Sequence, residues 1–297
     1  MSTFTKQLIH TAAIALIAAA CTQTDYDTPQ GRAISFRPAA ETRAAVDADK
    51  TGMEDFLVWG GYTGQQLFEG ETVHPDGRYE GGTRYWVPGK WNFYAIHPKG
   101  INASCTNGTF TVTGDDAVDL MTATASEEYT EEENPPTSVG LAFHHELARV
   151  SFTIKAEGAN VTVNKFKVFG LNYKGTFVQG YTPEWTQTTS NTQEDNIFLK
   201  ENFIITPQEP SNAFGDILIL PSNDITDAQL YVSYRHTGET TDRSAFANLK
   251  VDGYIENWIK GQKYNYTLTL KADGILFGGL TADKWEETSS GGNIPIQ

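Results

Sequence analysis

The sequence is poor in the residues that staple a fold or carry redox chemistry. It holds two cysteines in 297 residues, Cys21 and Cys105. Two cysteines close at most one bridge, so a disulfide framework is excluded. If Cys21 carries another group, Cys105 has no partner within the chain. Positive charge is also scarce. The chain has 22 lysines and arginines against 37 aspartates and glutamates, a formal charge of −15. That balance argues against a nucleic-acid partner and against electrostatic docking on anionic membrane. Its simplest effect is to keep an exported protein soluble. The apolar run Thr11–Ala20 is shorter than the roughly 20 residues needed to span a bilayer. No second run follows it, so membrane attachment would have to go through lipid. No stretch after it has the 3.6-residue periodicity of a long amphipathic helix. A Gly-rich phosphate loop, zinc-ligand spacing and a nucleophile elbow are all missing. The expectation is a protein that is not an enzyme and uses no cofactor.

What the sequence has instead is strand and turn chemistry. It is rich in Tyr, Phe, Trp and Thr, with aromatics at 12%, and 27 glycines and 12 prolines punctuate it. The N-terminus reads as an export signal over residues 1–20, with Lys6 before the apolar run. Ala18-Ala19-Ala20-Cys21 resembles a bacterial lipobox, with Ala18 where leucine is usual. Lipidation is therefore expected at Cys21, as a multi-chain anchor of the kind that holds stably. Residues 21–33, polar with Pro29 and Gly31, read as a tether.

Ile34 and Phe36 alternate with Ser35 and Arg37, a short strand that Pro38 is expected to end. Residues 39–52 have no periodicity and read as an exposed connection, with Arg43 inside it. Phe56–Trp59 is a strand, and Pro75-Asp76-Gly77 is a turn. Trp91, Phe93 and Ala95 alternate in an aromatic hairpin with Tyr85-Trp86. Five glutamates between Glu127 and Glu133, followed by Pro135-Pro136, suggest an exposed loop. In the run from Leu141 to Ile154 the apolar positions change parity, so a bulge or short turn is expected at His144–Leu147. Short strands continue through the second half. Ile255–Gly261 suggests one helical turn, and Tyr264–Leu270 gives the cleanest alternation in the chain. The fold expected is all-β, with two antiparallel β-sandwich domains in tandem, residues 34–140 and 141–297.

Three groups invite a chemical reading. His144-His145-Glu146 could suggest a metal or acid–base cluster, but adjacent strand residues point to opposite faces, and a capped bulge is the simpler account. Asp115, Asp116 and Asp119 lack the spacing of a calcium loop and read as a turn. Trp86, Trp91 and Tyr94 could form a sugar-stacking platform, although core packing is the simpler reading. No metal or cofactor site is expected.

Four stretches together resemble the fimbrillin family, the subunits of type V pili in anaerobic Gram-negative bacteria. They are Ile34-Ser35-Phe36 through Thr42-Arg43-Ala44, the ribbon Tyr85-Trp86 to Trp91–Ala95, Leu141–Val150 with its two histidines, and Trp258–Leu268 with Trp285. The resemblance implies an outer-membrane lipoprotein precursor that reaches a cell-surface fimbrium, with two transthyretin-like sandwiches. It implies an Arg-specific protease that cuts after Arg43 and removes the exchangeable strand Ile34, Ser35 and Phe36. It implies other fimbrial subunits as partners, one donating a strand to the vacated groove, and it places this chain's own donor strand in the tail, Leu276–Ile296. The alternative is a surface lipoprotein that does not polymerise and binds a glycan or host ligand.

Overall fold

The computed structural model describes residues 32–40 and 53–284, apart from 107–108, 116–117, 131–132, 180–183 and 273. Cys21, Arg43 and the closing residues 285–297 lie outside the described residues. The fold is all-β, as the turn-punctuated pattern predicts.

In the first half the strands are β1 (Phe36–Ala40), β2 (Phe56–Tyr62), β3 (Gln65–Val73), β4 (Gly89–His97), β5 (Ala103–Thr106), β6 (Thr109–Asp115), β7 (Met121–Tyr129) and β8 (Val139–His145). The second half holds β9 (Ala148–Ala156), β10 (Val161–Phe169), β11 (Asn172–Gln179), β12 (Glu184–Ser190), β13 (Phe198–Ile205), β14 (Ser211–Ile219), β15 (Gln229–His236), β16 (Arg243–Asn248), β17 (Gln262–Lys271) and β18 (Gly274–Lys284). They form a six-stranded sheet, β1-β8-β7-β4-β2-β3, and three four-stranded sheets, β12-β11-β6-β5, β14-β9-β17-β18 and β13-β10-β15-β16.

The six-stranded sheet is apolar on both faces. Phe56 and Val58 of β2, with Trp91, Phe93 and Ala95 of β4, face one core. The alternate residues Trp59 and Ile96 face a second core with Leu120 and Phe177. Period-2 side-chain placement makes this possible, because each strand supplies both cores at once. The last two sheets enclose a third core built from Val150, Phe152 and Ile154 of β9, Phe166 of β10, Val232 of β15 and Tyr266 of β17.

Several expectations change. Two ladders are parallel, not antiparallel: β1 with β8 and β9 with β17. Pro38 does not end β1, which runs on to Ala40. It is tolerated because β1 is an edge strand, where a missing N–H costs no ladder bond on the open side. The acidic loop starts later than expected. Glu127 and Glu128 belong to β7, and Glu128 sits exposed opposite Lys90, a favourable cross-strand charge pair. Residues 255–261 hold no helical turn. Trp258 instead pairs with Ser222 across an isolated bridge, and its Nε1 donates to Tyr266 Oη at 3.1 Å. The parity change near His144 falls, as expected, at a short connection, which here passes between sheets, with β8 ending at His145 and β9 starting at Ala148. The division expected at residue 140 falls inside β8, whose Leu141 and Phe143 belong to the first core.

Candidate functional site

The site is the seat of the first described segment, Arg32–Ala40. Its two ends are held differently. Toward the N-terminus its backbone bonds to the excursion that follows β3: Ile34 N–H donates to Arg84 O at 2.8 Å, Trp86 N–H to Arg32 O at 3.1 Å, and Phe36 N–H to Gly77 O at 3.3 Å. From Phe36 onward it pairs with β8 in parallel, Phe36 opposite Val139 through Ala40 opposite Phe143. Ser35 joins the two zones. Its carbonyl accepts from Val139 N–H at 2.8 Å, and its Oγ donates to the Thr137 carbonyl at 3.1 Å. The segment thus bridges β8 at one edge of the six-stranded sheet and the excursion attached to β3 at the other.

Alternate side chains of the segment, Ile34, Phe36 and Pro38, are buried. Ile34 and Phe36 are 2% and 3% exposed. The Phe36 ring meets Phe68 at 5.3 Å, Phe93 at 5.7 Å and Tyr79 at 5.9 Å, all edge-to-face. Burial of a side chain of this size contributes about 1.5–3 kcal/mol. Arg84 closes the outer wall. Its guanidinium lies 4.6 Å from the Phe68 ring centre, donates to Leu67 O at 2.7 Å and pairs with Glu71 at 2.6 Å.

The excursion is itself braced. Gly77 N–H donates to His74 O, and His74 N–H to Arg78 O, both at 2.8 Å. The backbone N–H of Arg78, and then its guanidinium, hold the Asp76 carboxyl below the usual carboxylate range. The bond from His74, reinforced by Lys99, does the same for Asp55. Gly77 adopts φ of +83°, and a Cβ placed there would stand 1.8 Å from Phe36 O. Only glycine lets the excursion approach β1 this closely.

The other residues singled out in the sequence do not gather here as a chemical site. Trp86 and Trp91 are 2% and 0% exposed, so they cannot stack a ligand. They build the first core, 5.1 Å apart. Tyr94 is half-buried against the second core. His144 is exposed, while His145 Nδ1 meets Asp119 at 2.9 Å. Glu146 is buried and accepts from Thr122 Oγ1 at 2.7 Å and from Lys260 Nζ at 2.8 Å. Its carbonyl accepts from Trp185 Nε1 at 2.9 Å. This triplet is therefore a joint between the halves of the chain. Cys105 lies half-buried in β5. The first part of the expected donor tail, through Lys284, is already spent as β18 on β17. The sequence pattern missed Gly77 and Arg84 as parts of the seat, because both act through contacts distant in sequence.

A fimbrillin-like family model matches residues 12–285. No curated protein sequence matches the chain. Among solved structures, a candidate cell adhesion protein of Bacteroides uniformis superposes with a TM-score of 0.54 at 18% identity, covering 86% of this chain and 98% of its own. Another, from Bacteroides ovatus, gives 0.50 at 16% identity over 88% of this chain and 99% of its own. At these identities the likeness is one of fold.

Proposed function

The chain belongs to the fimbrillin-like family, and on that premise we propose that it is a cell-surface fimbrial subunit, of stalk or tip type, rather than an enzyme. In this reading residues 1–20 direct export, and acylated Cys21 holds the precursor in the outer membrane. An Arg-specific protease then cuts after Arg43. The cut frees the segment that carries Ile34, Ser35 and Phe36, and with it the lipid. A strand from a neighbouring subunit takes the vacated place beside β8.

One observation carries the reading. The buried side chains Ile34 and Phe36 sit on a short segment at the sheet edge, held by the β8 ladder from Phe36 on and by three backbone bonds to the excursion after β3. Its departure would uncover a ready apolar groove, lined by Phe68, Tyr79 and Phe93, beside the unpaired edge of β8. Such an edge is the template for strand addition: main-chain bonds give affinity and alternate side chains give register. The incoming strand needs apolar groups two residues apart, to replace Ile34 and Phe36. Because β18 is engaged with β17, residues 285–297 are the part of the tail left to donate, and there Ile294 and Ile296 alternate.

The test is digestion of the purified chain with an Arg-specific protease. The expected product begins at Ala44 and forms higher oligomers alone or with a partner subunit. Arg43→Ala is expected to resist the cut and stay monomeric. A precursor that yields no Ala44 product, or yields one that stays monomeric with every partner, overturns the polymerising reading. A cell-surface form that starts only at acylated Cys21 would instead mark a lipoprotein that does not polymerise.

A further inference from the structure

Strands β15 and β16 pair with Gln229 opposite Asn248, Tyr231 opposite Phe246, and Ser233 opposite Ser244. The intervening Leu230, Val232 and Tyr234 are buried in the third core. The six paired side chains therefore stand on the outer face of the sheet. None is charged, in a chain of net charge −15. Phe246 keeps 53% of its surface exposed, which core packing does not require. Its ring centre lies 4.9 Å from that of Tyr231, with the planes 49° apart. In the next row Gln229 Nε2 donates to Asn248 Oδ1 at 2.9 Å. That bond leaves the Gln229 side-chain carbonyl as an acceptor and the Asn248 amide hydrogens as donors, side by side.

We propose that this strip binds a neutral saccharide. A hexose presents an apolar C–H face and a rim of hydroxyls, each both donor and acceptor. The C–H face lies on the Phe246–Tyr231 rings, whose negative π-faces attract polarised C–H groups. Two neighbouring hydroxyls meet the amide pair, one donating to Gln229 and the other accepting from Asn248. Residues two apart on a strand are separated by about 7 Å, so one sugar ring reaches both rows. Ser233 and Ser244 extend the strip for a second sugar.

The surroundings favour a neutral ligand over an anion or a protein. The nearest cation across the sheet, Lys167, is buried, and its ammonium donates to Gln193 O and Asn196 Oδ1. The two other cations along this face, Lys165 opposite Ser233 and Arg235 beyond it, each stand 3.6 Å from a carboxylate, Glu201 and Asp242, and the acidic chain as a whole repels a sialic acid. Two rings flanked by amides and hydroxyls also fall short of the roughly 800 Å² that each partner buries in a standard protein interface. The proposal goes beyond the subunit reading and does not depend on it.

The experiment is binding of the full chain to an array of neutral and sialylated oligosaccharides, with the hits measured by calorimetry. Neutral glycans are expected to bind and their sialylated counterparts to bind more weakly. Phe246→Ala and Tyr231→Ala are each expected to weaken binding roughly 3- to 10-fold, and Asn248→Ala to weaken it as well. Tyr254→Ala, at a site of similar exposure, 52%, leaves it unchanged. Because Phe246 is exposed, its variant should keep the wild-type melting temperature, which separates lost binding from lost fold. An array with no neutral hit overturns the proposal, and so does binding indifferent to Phe246→Ala. A concentration-dependent dimer that Phe246→Ala dissolves would assign the strip to contact between copies instead. Assembly after protease treatment is expected to proceed normally in Phe246→Ala, so the two readings fail separately.

Discussion

At the scale of the residue, His97 ties stability to pH. Both of its ring nitrogens are buried and have no hydrogen-bond partner among the described residues. Burial pushes its pKa below the ordinary 6.5. Asp119 and Glu54 oppose the shift and His145 adds to it. The unfolded chain then binds a proton near pH 6.5 that the folded chain refuses until lower pH. This contribution is full above about pH 6.5. It is lost as pH falls through the depressed folded value. The Asp55 shift has the same sign but belongs to a lower window, beneath its ordinary 3.8. Urea unfolding between pH 7 and pH 4.5 therefore isolates the histidine. The wild-type midpoint is expected to fall across that range, and that of His97→Phe to fall less. Equal slopes for the two proteins would remove His97 as the source.

At the scale of the element, β1 is held by a turn that the sequence announces and by a contact that it does not. Pro75-Asp76-Gly77 is legible as a turn because proline and glycine fix local backbone geometry. That this glycine lies against Phe36 O is not legible, since nothing local encodes a close approach between distant segments. Gly77→Ala is expected to lift β1 without touching Ile34 or Phe36. Hydrogen exchange at Ile34–Ala40 should rise, and cleavage after Arg43 should quicken, while exchange in β9 and β17 stays as it was. Unchanged protection at Ile34 would show that the seat does not depend on this approach. The same division between local and long-range information explains the other outcomes. Tyr264–Leu270 is plain as a strand because its alternation is uninterrupted. Its parallel partner β9 is invisible, because parallel pairing leaves no turn between neighbours. Glu127 and Glu128 look like loop when read as a charge run, and become strand only once Lys90 is known to lie opposite. In the candidate site, Ile34 and Phe36 are legible as an alternating apolar pair. The pocket that receives them is assembled from Phe68, Tyr79 and Phe93, on separate stretches of chain.

At the scale of the whole molecule, each half of the sequence has a core of its own, and the second core joins them. The sheet β12-β11-β6-β5 takes two strands from each half. Through Phe177 it covers the face of the six-stranded sheet that carries Trp59 and Ile96, with Leu120 beside them. The Glu146 joint reinforces the union: Thr122 reaches it from the first half, and Lys260 and Trp185 from the second. A fragment of residues 32–145 would expose that apolar face to water and lose β11, the second-half partner of β6. It is expected to aggregate or to lack a cooperative transition, whereas the full chain unfolds in one step. Phe177→Ala is expected to cost about 3–5 kcal/mol, as for other large-to-small core changes. It should lower the transition reported by the first half as much as that reported by the second. Two separate transitions in the full chain, or a soluble and cooperatively folded fragment, would show that the halves stand alone. A single transition would support the proposed release of β1, because the second half would then hold the opposite face of the opened groove. A subunit that receives a foreign strand needs that property, since the empty groove must survive until the strand arrives.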